Sequence, residues 1–71
     1  MPDVDLIKAM KSLPVRQRRV LILEAILGLS DAEIATEMGA SEGTVRVWLF
    51  RGRVRMARAL GESPDRGTGD R

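Results

Sequence analysis

Apolar side chains recur along this chain at the three- and four-residue spacing of α-helices, and strand-like patterns are nearly absent. The one run that fits a buried strand, residues 20–23, continues into Glu24 and Ala25, which favours helix. The pattern predicts four helices: one that carries Leu6, Ile7 and Met10, one from Pro14 to Leu27, one from the Ser30 cap through Met38, and one from Glu42 to about Leu60.

Helix-ending residues separate these segments. Gly28 and Gly39 each follow an apolar segment, where glycine accepts the left-handed conformation that ends a helix. Ser30 and Glu33 have the spacing of a capping box, and Ser41 is positioned to cap the last helix after a turn of about three residues. Two helices joined by such a tight turn form a helix-turn-helix. The sequence therefore predicts an all-α fold, a small four-helix domain with a C-terminal helix-turn-helix.

The last helix has two distinct faces. At about 100° per residue, one stripe is predicted to face the core, and at Gly52 another helix is expected to approach closely; this stripe comprises Val45, Leu49, Gly52, Met56 and Leu60. We interpret Trp48 as a half-buried residue at its edge, near Arg55. The opposite arc mixes cations with apolar groups, and a major groove or a protein partner would account for apolar groups there; the arc comprises Arg46, Val47, Phe50, Arg51 and Val54.

The domain is predicted to span residues 1–61, and residues 62–71 are expected to form a disordered polar tail because they offer no apolar anchor. Leu6, Ile7 and Met10 exceed what so short a chain is expected to bury. They predict a shallow apolar groove for an amphipathic partner helix, with closure of the four-helix core as the alternative.

Charge sharpens the picture of the last helix. The net charge is only +2, but residues 42–60 carry five arginines against Glu42. Arginine suits bidentate contacts to phosphate and guanine. A smaller basic cluster, Arg16, Arg18 and Arg19, starts the second helix and is either a set of phosphate contacts or an ordinary exposed turn.

Composition excludes much chemistry. The 71 residues include no cysteine and no histidine, which removes disulfides, thiolate nucleophiles and the commonest metal ligand and general base. We find no acid/base pair, nucleophile or phosphate-binding loop, and no membrane span or signal peptide. The expectation is a cytoplasmic binding module without cofactor, metal, membrane partner or small-molecule substrate, and not an enzyme.

Several segments together resemble region 4, the C-terminal domain of bacterial extracytoplasmic-function (ECF) sigma factors. These segments are the Leu13–Leu21 opening, Gly28-Leu29-Ser30, Ala32–Ala35, Ser41–Arg46 and the alternating Arg51, Arg53 and Arg55. A LuxR-type response-regulator domain, which would dimerise on a palindromic site, is the alternative. It shares part of this core but lacks the Leu-Pro opening and the alternating arginines.

The resemblance implies binding of the promoter −35 element through the last helix and docking on the RNA polymerase β-flap through the apolar surface of the earlier helices. Base contacts then fall to Arg46, Val47, Phe50 and Arg51, and phosphate contacts to Ser30 and Thr44. From the charge pattern, the further candidates for phosphate contacts are Arg16, Arg18, Arg19, Arg53 and Arg55. A partner would bind Leu6, Ile7 and Met10. The resemblance also implies an anti-sigma factor, which would cover Val47, Phe50 and Val54; a module that only binds proteins is a further alternative.

Two departures from the family pattern matter. Val47 and Trp48 stand where Ser or Arg are common, which predicts an unusual recognised sequence. Asp31 stands where an aromatic residue is frequent next to DNA, and its carboxylate would repel a phosphate unless turned away. Nothing here corresponds to region 2 of a sigma factor, so both a piece of a longer sigma factor and a small stand-alone relative fit the sequence.

Overall fold

A computed structural model describes residues 3–61, and side chains from Asp5 onward. Its four helices are α1 (Asp3–Lys11), α2 (Val15–Ala25), α3 (Asp31–Met38) and α4 (Glu42–Ala59). This confirms the all-α expectation for the part of the chain described. The predicted polar tail, residues 62–71, lies outside it.

The helix ends follow the residues that predicted them, with one difference in α2. Ser30 and Glu33 form the reciprocal capping box, and Gly39 ends α3 at φ +66°. Pro14 precedes α2 as its N-cap residue. The prediction that α2 reaches Leu27 is wrong, because the chain widens after Ala25 and the Leu27 N–H donates to the Ile22 carbonyl (3.3 Å), before Gly28 turns it at φ +67°.

The core lies between α4 and the helices α2 and α3, which α4 contacts most extensively. Ile34, Val20 and Val45 are fully buried, and Leu49 is nearly so. Met10, Trp48 and Met56 pack against this cluster while partly exposed. Because α4 crosses both neighbours with one face, its other side is left open.

At Gly52, α4 lies close against side chains of α2. A Cβ atom there would lie 3.0 Å from Leu21 Cδ1 and 3.5 Å from Gln17 Cβ. The expected close approach is therefore present, but it is made by side chains of α2 and not by its backbone. Leu60, predicted for the core stripe, is 41% exposed because it follows the last helical residue as the C-cap.

No helix within residues 3–61 is both long and apolar enough to cross a membrane.

Candidate nucleic-acid interface

The turn between α3 and α4 holds the start of α4 in a fixed direction. Gly39, Ala40 and Ser41 separate the two helices. The Ser41 hydroxyl accepts from the Thr44 N–H (3.1 Å) and donates to the Thr44 hydroxyl (3.0 Å). These bonds satisfy one of the unpaired donors at the first turn of α4 and fix its N-terminal end.

Beyond this turn, α4 exposes the residues predicted to contact bases. Phe50 is 67% and Val47 45% exposed, and the Arg46 side chain is 61% exposed. Arg51 is also exposed, and Val54 is half-buried. The structure thus brings cations and apolar groups together on one open side of the helix.

Two carboxylates lie within ion-pair distance of Arg46 at the helix-turn-helix. Its Nη1 lies 3.6 Å from Asp31 Oδ2 and 3.7 Å from Glu42 Oε1. Asp31 and Glu42 are the first residues of α3 and α4. The Asp31 carboxylate therefore faces the Arg46 guanidinium of α4.

A second group of arginines has no such partner. Among the described residues, Arg51, Arg55 and Arg58 make no hydrogen bond or ion pair. With Phe50, Val54, Ser12 and Gln17 they line an open concavity of about 590 Å³. Sequence reasoning missed Arg58, although its spacing of three and seven residues from Arg55 and Arg51 places it on the same side of the helix.

Arg53, which was predicted to contact a phosphate, is paired with a carboxylate of α2, and its contact with a phosphate stays a prediction. Its Nη2 donates to both oxygens of Glu24, at 2.6 and 2.7 Å, near the end of α2. The same guanidinium borders an apolar groove next to α1. No sequence signal marked this pair, because the two residues are 29 positions apart.

The basic cluster at the start of α2 is only partly free. The Arg16 guanidinium stacks over Trp48, 5.9 Å from the ring centroid, and Arg18 donates to the Lys11 carbonyl at 3.4 Å. Arg19 is exposed. Trp48 is half-buried as expected, but its cationic neighbour is Arg16 and not Arg55.

The hydroxyl candidates both take part in caps. Ser30 Oγ accepts from the Glu33 N–H (3.1 Å), while the Ser30 N–H donates to Glu33 Oε1 (2.8 Å). The Thr44 hydroxyl accepts from Ser41. The Ser30 and Thr44 hydroxyl protons remain available to donate to a phosphate oxygen, whereas the Ser30 backbone N–H is occupied by Glu33.

An apolar groove of about 550 Å³ lies on a separate surface, between α1, α2 and the later turns of α4. Leu6 is 46%, Ile7 52% and Ile26 72% exposed, while Met10 packs partly against the core. Leu21, Ile22 and Met56 complete its lining. The expectation that the α1 side chains leave exposed apolar surface is met by Leu6 and Ile7, and Met10 is shared between groove and core.

A helix-turn-helix whose second helix exposes arginines and apolar side chains defines a class of DNA-binding domains. Residues 3–56 match the model of the sigma-70 region 4 family, so the chain belongs to that family. This match favours the sigma-factor resemblance over the LuxR-type alternative. Region 4 is the part of sigma factors that binds the promoter −35 element, and the family is not enzymatic.

The curated relatives are ECF sigma factors. The chain is 41% identical over 54 residues to the ECF RNA polymerase sigma factor SigM of Mycobacterium tuberculosis, in both strain H37Rv and strain Erdman. The match covers 76% of this chain and 28% of each relative, so the chain spans less than a third of their length. No solved structure matches the chain significantly.

Proposed function

We propose that this chain recognises a promoter −35 element by placing the N-terminal half of α4 in the major groove. The observation that carries the proposal is the exposure of Phe50 and Val47 beside Arg46 and Arg51, directly after the helix-turn-helix turn. In this docking mode the first turns of the second helix reach the base edges. Family membership supports the same assignment.

Different side chains are proposed to contact the bases and the phosphates. Arg46 and Arg51 carry forked donors suited to O6 and N7 of guanine, and Val47 and Phe50 suit thymine methyl groups. Arg55 lies one turn beyond Arg51 and is proposed to neutralise backbone phosphates with Arg16, Arg18 and Arg19, while Ser30 and Thr44 donate from the turn. To these we add Arg58, because it is exposed beside Arg55 and has no carboxylate partner in the described part of the chain.

Site selection from random duplexes tests this function with the 71-residue protein. We expect a single asymmetric site, in contrast to the two half-sites about one helical turn apart that a dimeric output domain selects. Log affinity should fall with log salt with a slope of about −3 to −6, since each neutralised phosphate contributes roughly 0.9. A slope near zero would remove nucleic acid as the partner.

The second part of the proposal concerns RNA polymerase. We assign the groove between α1 and α2 to an amphipathic helix of the β-flap, because its exposed Leu6, Ile7 and Ile26 match the apolar anchors of such a helix. The groove is lined by other residues than the α4 arc, so the flap helix and the DNA would contact different residues of the domain. Both partners imply action in the bacterial cytoplasm.

Ile7→Glu tests the groove, with Val15→Glu as a matched control because Val15 is similarly exposed (57%) but does not line it. We expect Ile7→Glu to abolish flap binding while the melting temperature and DNA binding stay close to those of the wild type. Collapse of the fold would instead make Ile7 a core residue. Equal flap binding by both variants would exclude this groove as the docking site.

An anti-sigma factor is the remaining partner, proposed from the family and from the exposed Val47 and Phe50 with half-buried Val54. A protein covering these residues would compete with promoter DNA, because both use the same arc of α4. A regulator that covers the α4 arc would therefore block DNA binding. A regulator that binds the groove would block only polymerase docking.

A further inference from the structure

The environment of Arg46 differs from that of Arg51, the other arginine on the exposed arc of α4. The Arg46 guanidinium contacts Asp31 across the helix-turn-helix and Glu42 within its own helix. Glu42 precedes it by four residues, which is an ordinary pairing on a helix surface. The Asp31 contact joins two helices, so it constrains where the guanidinium lies relative to the turn.

Arg51 and Arg55 provide the comparison. They lie on the same helix, are exposed, and have no ion pair or hydrogen bond in the described part of the chain. Such a long cationic side chain is free to turn towards the nearest phosphate, which lies on every DNA sequence. Arg46 would have to leave two carboxylates to do the same.

The contacts of Arg46 leave most of its donors available. Both carboxylates approach Nη1, and a guanidinium carries five N–H donors in a planar fork. Nη2 and Nε can therefore meet a base edge while Nη1 remains beside Asp31. In water an exposed pair of this kind adds little to stability, at most about 1 kcal/mol, so its effect on the orientation of Arg46 matters more than its effect on folding.

We propose that Asp31 is a positioning residue that keeps Arg46 aimed at base edges and away from backbone phosphates, and that it thereby sets the ratio of specific to non-specific DNA binding. This inference rests on the proposed function of Arg46 as a base contact. Arg46 with its two carboxylates carries a net charge of −1, so on a non-cognate duplex it adds nothing to phosphate neutralisation. The departure of Asp31 from the usual aromatic residue then has a physical role.

Asp31→Asn tests the proposal, because it removes the charge and keeps the size of the side chain. Glu37→Gln is the matched control: Glu37 is exposed on the same helix, has no ion pair among the described residues, and its replacement changes the net charge equally. Affinity for a selected site and for a scrambled duplex is measured over a range of salt concentrations, below the melting temperature of each variant.

Asp31→Asn should strengthen binding to the scrambled duplex and steepen its salt slope by about 0.9, the contribution of one newly contacted phosphate. The ratio of specific to non-specific affinity should fall roughly fivefold or more, a part of what one bidentate base contact contributes. Glu37→Gln should raise both affinities alike and leave the ratio unchanged. Thermal unfolding first establishes that each variant is folded, because an unfolded arginine-rich chain would also bind scrambled DNA. Asp31→Ser serves as a second variant if Asp31→Asn does not fold.

The Arg46→Ala background separates this inference from the proposed function. There, Asp31→Asn should no longer change the ratio. If Arg46→Ala alone leaves binding to both duplexes unchanged, Arg46 is no DNA contact, and the proposed function and this inference fail together at that residue. If Arg46→Ala weakens specific binding but Asp31→Asn behaves like Glu37→Gln, base reading by Arg46 stands and the positioning role of Asp31 is overturned.

Discussion

The inner face of α4, which packs on α2 and α3, and its outer face, the exposed arc, carry similar apolar residues. Those of the inner face are buried, and those of the outer face are exposed. Val45 is completely buried, whereas Val47, two positions along, is 45% exposed. Leu49 is 2% exposed and its neighbour Phe50 67%. Because α2 and α3 cover only one side of the helix, the hydrophobicity of a residue does not determine whether it stabilises the fold. Apolar groups left outside are available to a partner, and that is the basis for assigning the outer face to DNA.

The largest expected effect is the difference in stability between a substitution on the inner face and one on the outer face. Leu49→Ala should lower the free energy of unfolding by about 2–5 kcal/mol, because it opens a cavity beside buried neighbours. Phe50→Ala removes a larger side chain from an exposed position and should change it by less than about 0.5 kcal/mol. Urea denaturation of both variants measures the difference. Equal losses would mean that Phe50 belongs to the core.

The next effect concerns DNA and the outer face alone. Arg46→Ala and Arg51→Ala should each weaken binding to the selected site by about 1–3 kcal/mol if they read bases, with a smaller loss on a scrambled duplex. Titration of both duplexes with each variant measures this. Equal losses of affinity for the two duplexes would mean that the residue contacts a phosphate. No loss of affinity for either duplex would mean that the outer face of α4 does not contact DNA.

The smallest effect uses a glycine at the start of the outer face. A Cβ atom at Gly43 would meet only Ser41 Oγ, at 3.9 Å. Gly43→Ala should therefore stabilise the protein by up to about 1 kcal/mol, since alanine favours the helix. Thermal unfolding measures the gain. If promoter binding falls while stability rises, the glycine is needed for close approach to DNA; a loss of stability would contradict the open surroundings seen here.

Predictions from the sequence were accurate where the interactions join residues only a few positions apart. The capping box of Ser30 and Glu33 involves residues three apart, and Gly39 requires only its own backbone conformation, so the start and end of α3 follow from the sequence. The end of α2 does not follow from the sequence, because apolar Ile26 and Leu27 extend the helical pattern beyond the point where the backbone widens. Leu60 was likewise assigned to the core by periodicity, which does not register that the helix has ended.

The candidate site divides in the same way. The exposed arc of α4, with Arg46, Val47, Phe50 and Arg51, was predictable because helical periodicity places them on one side. Which arginines form ion pairs was not predictable, because their partners lie far away in the sequence: Asp31 for Arg46 and Glu24 for Arg53.

The sequence by itself determined the four helices, the tight turn and the two-faced character of α4, because spacing, caps and glycines act within a few residues. Only the tertiary structure decided which arginines are paired and which are free, and whether Leu6 and Ile7 line an open groove or close the core. Those outcomes depend on how α1, α2 and α3 pack against α4. That packing brings together groups which the linear pattern keeps as many as 29 residues apart.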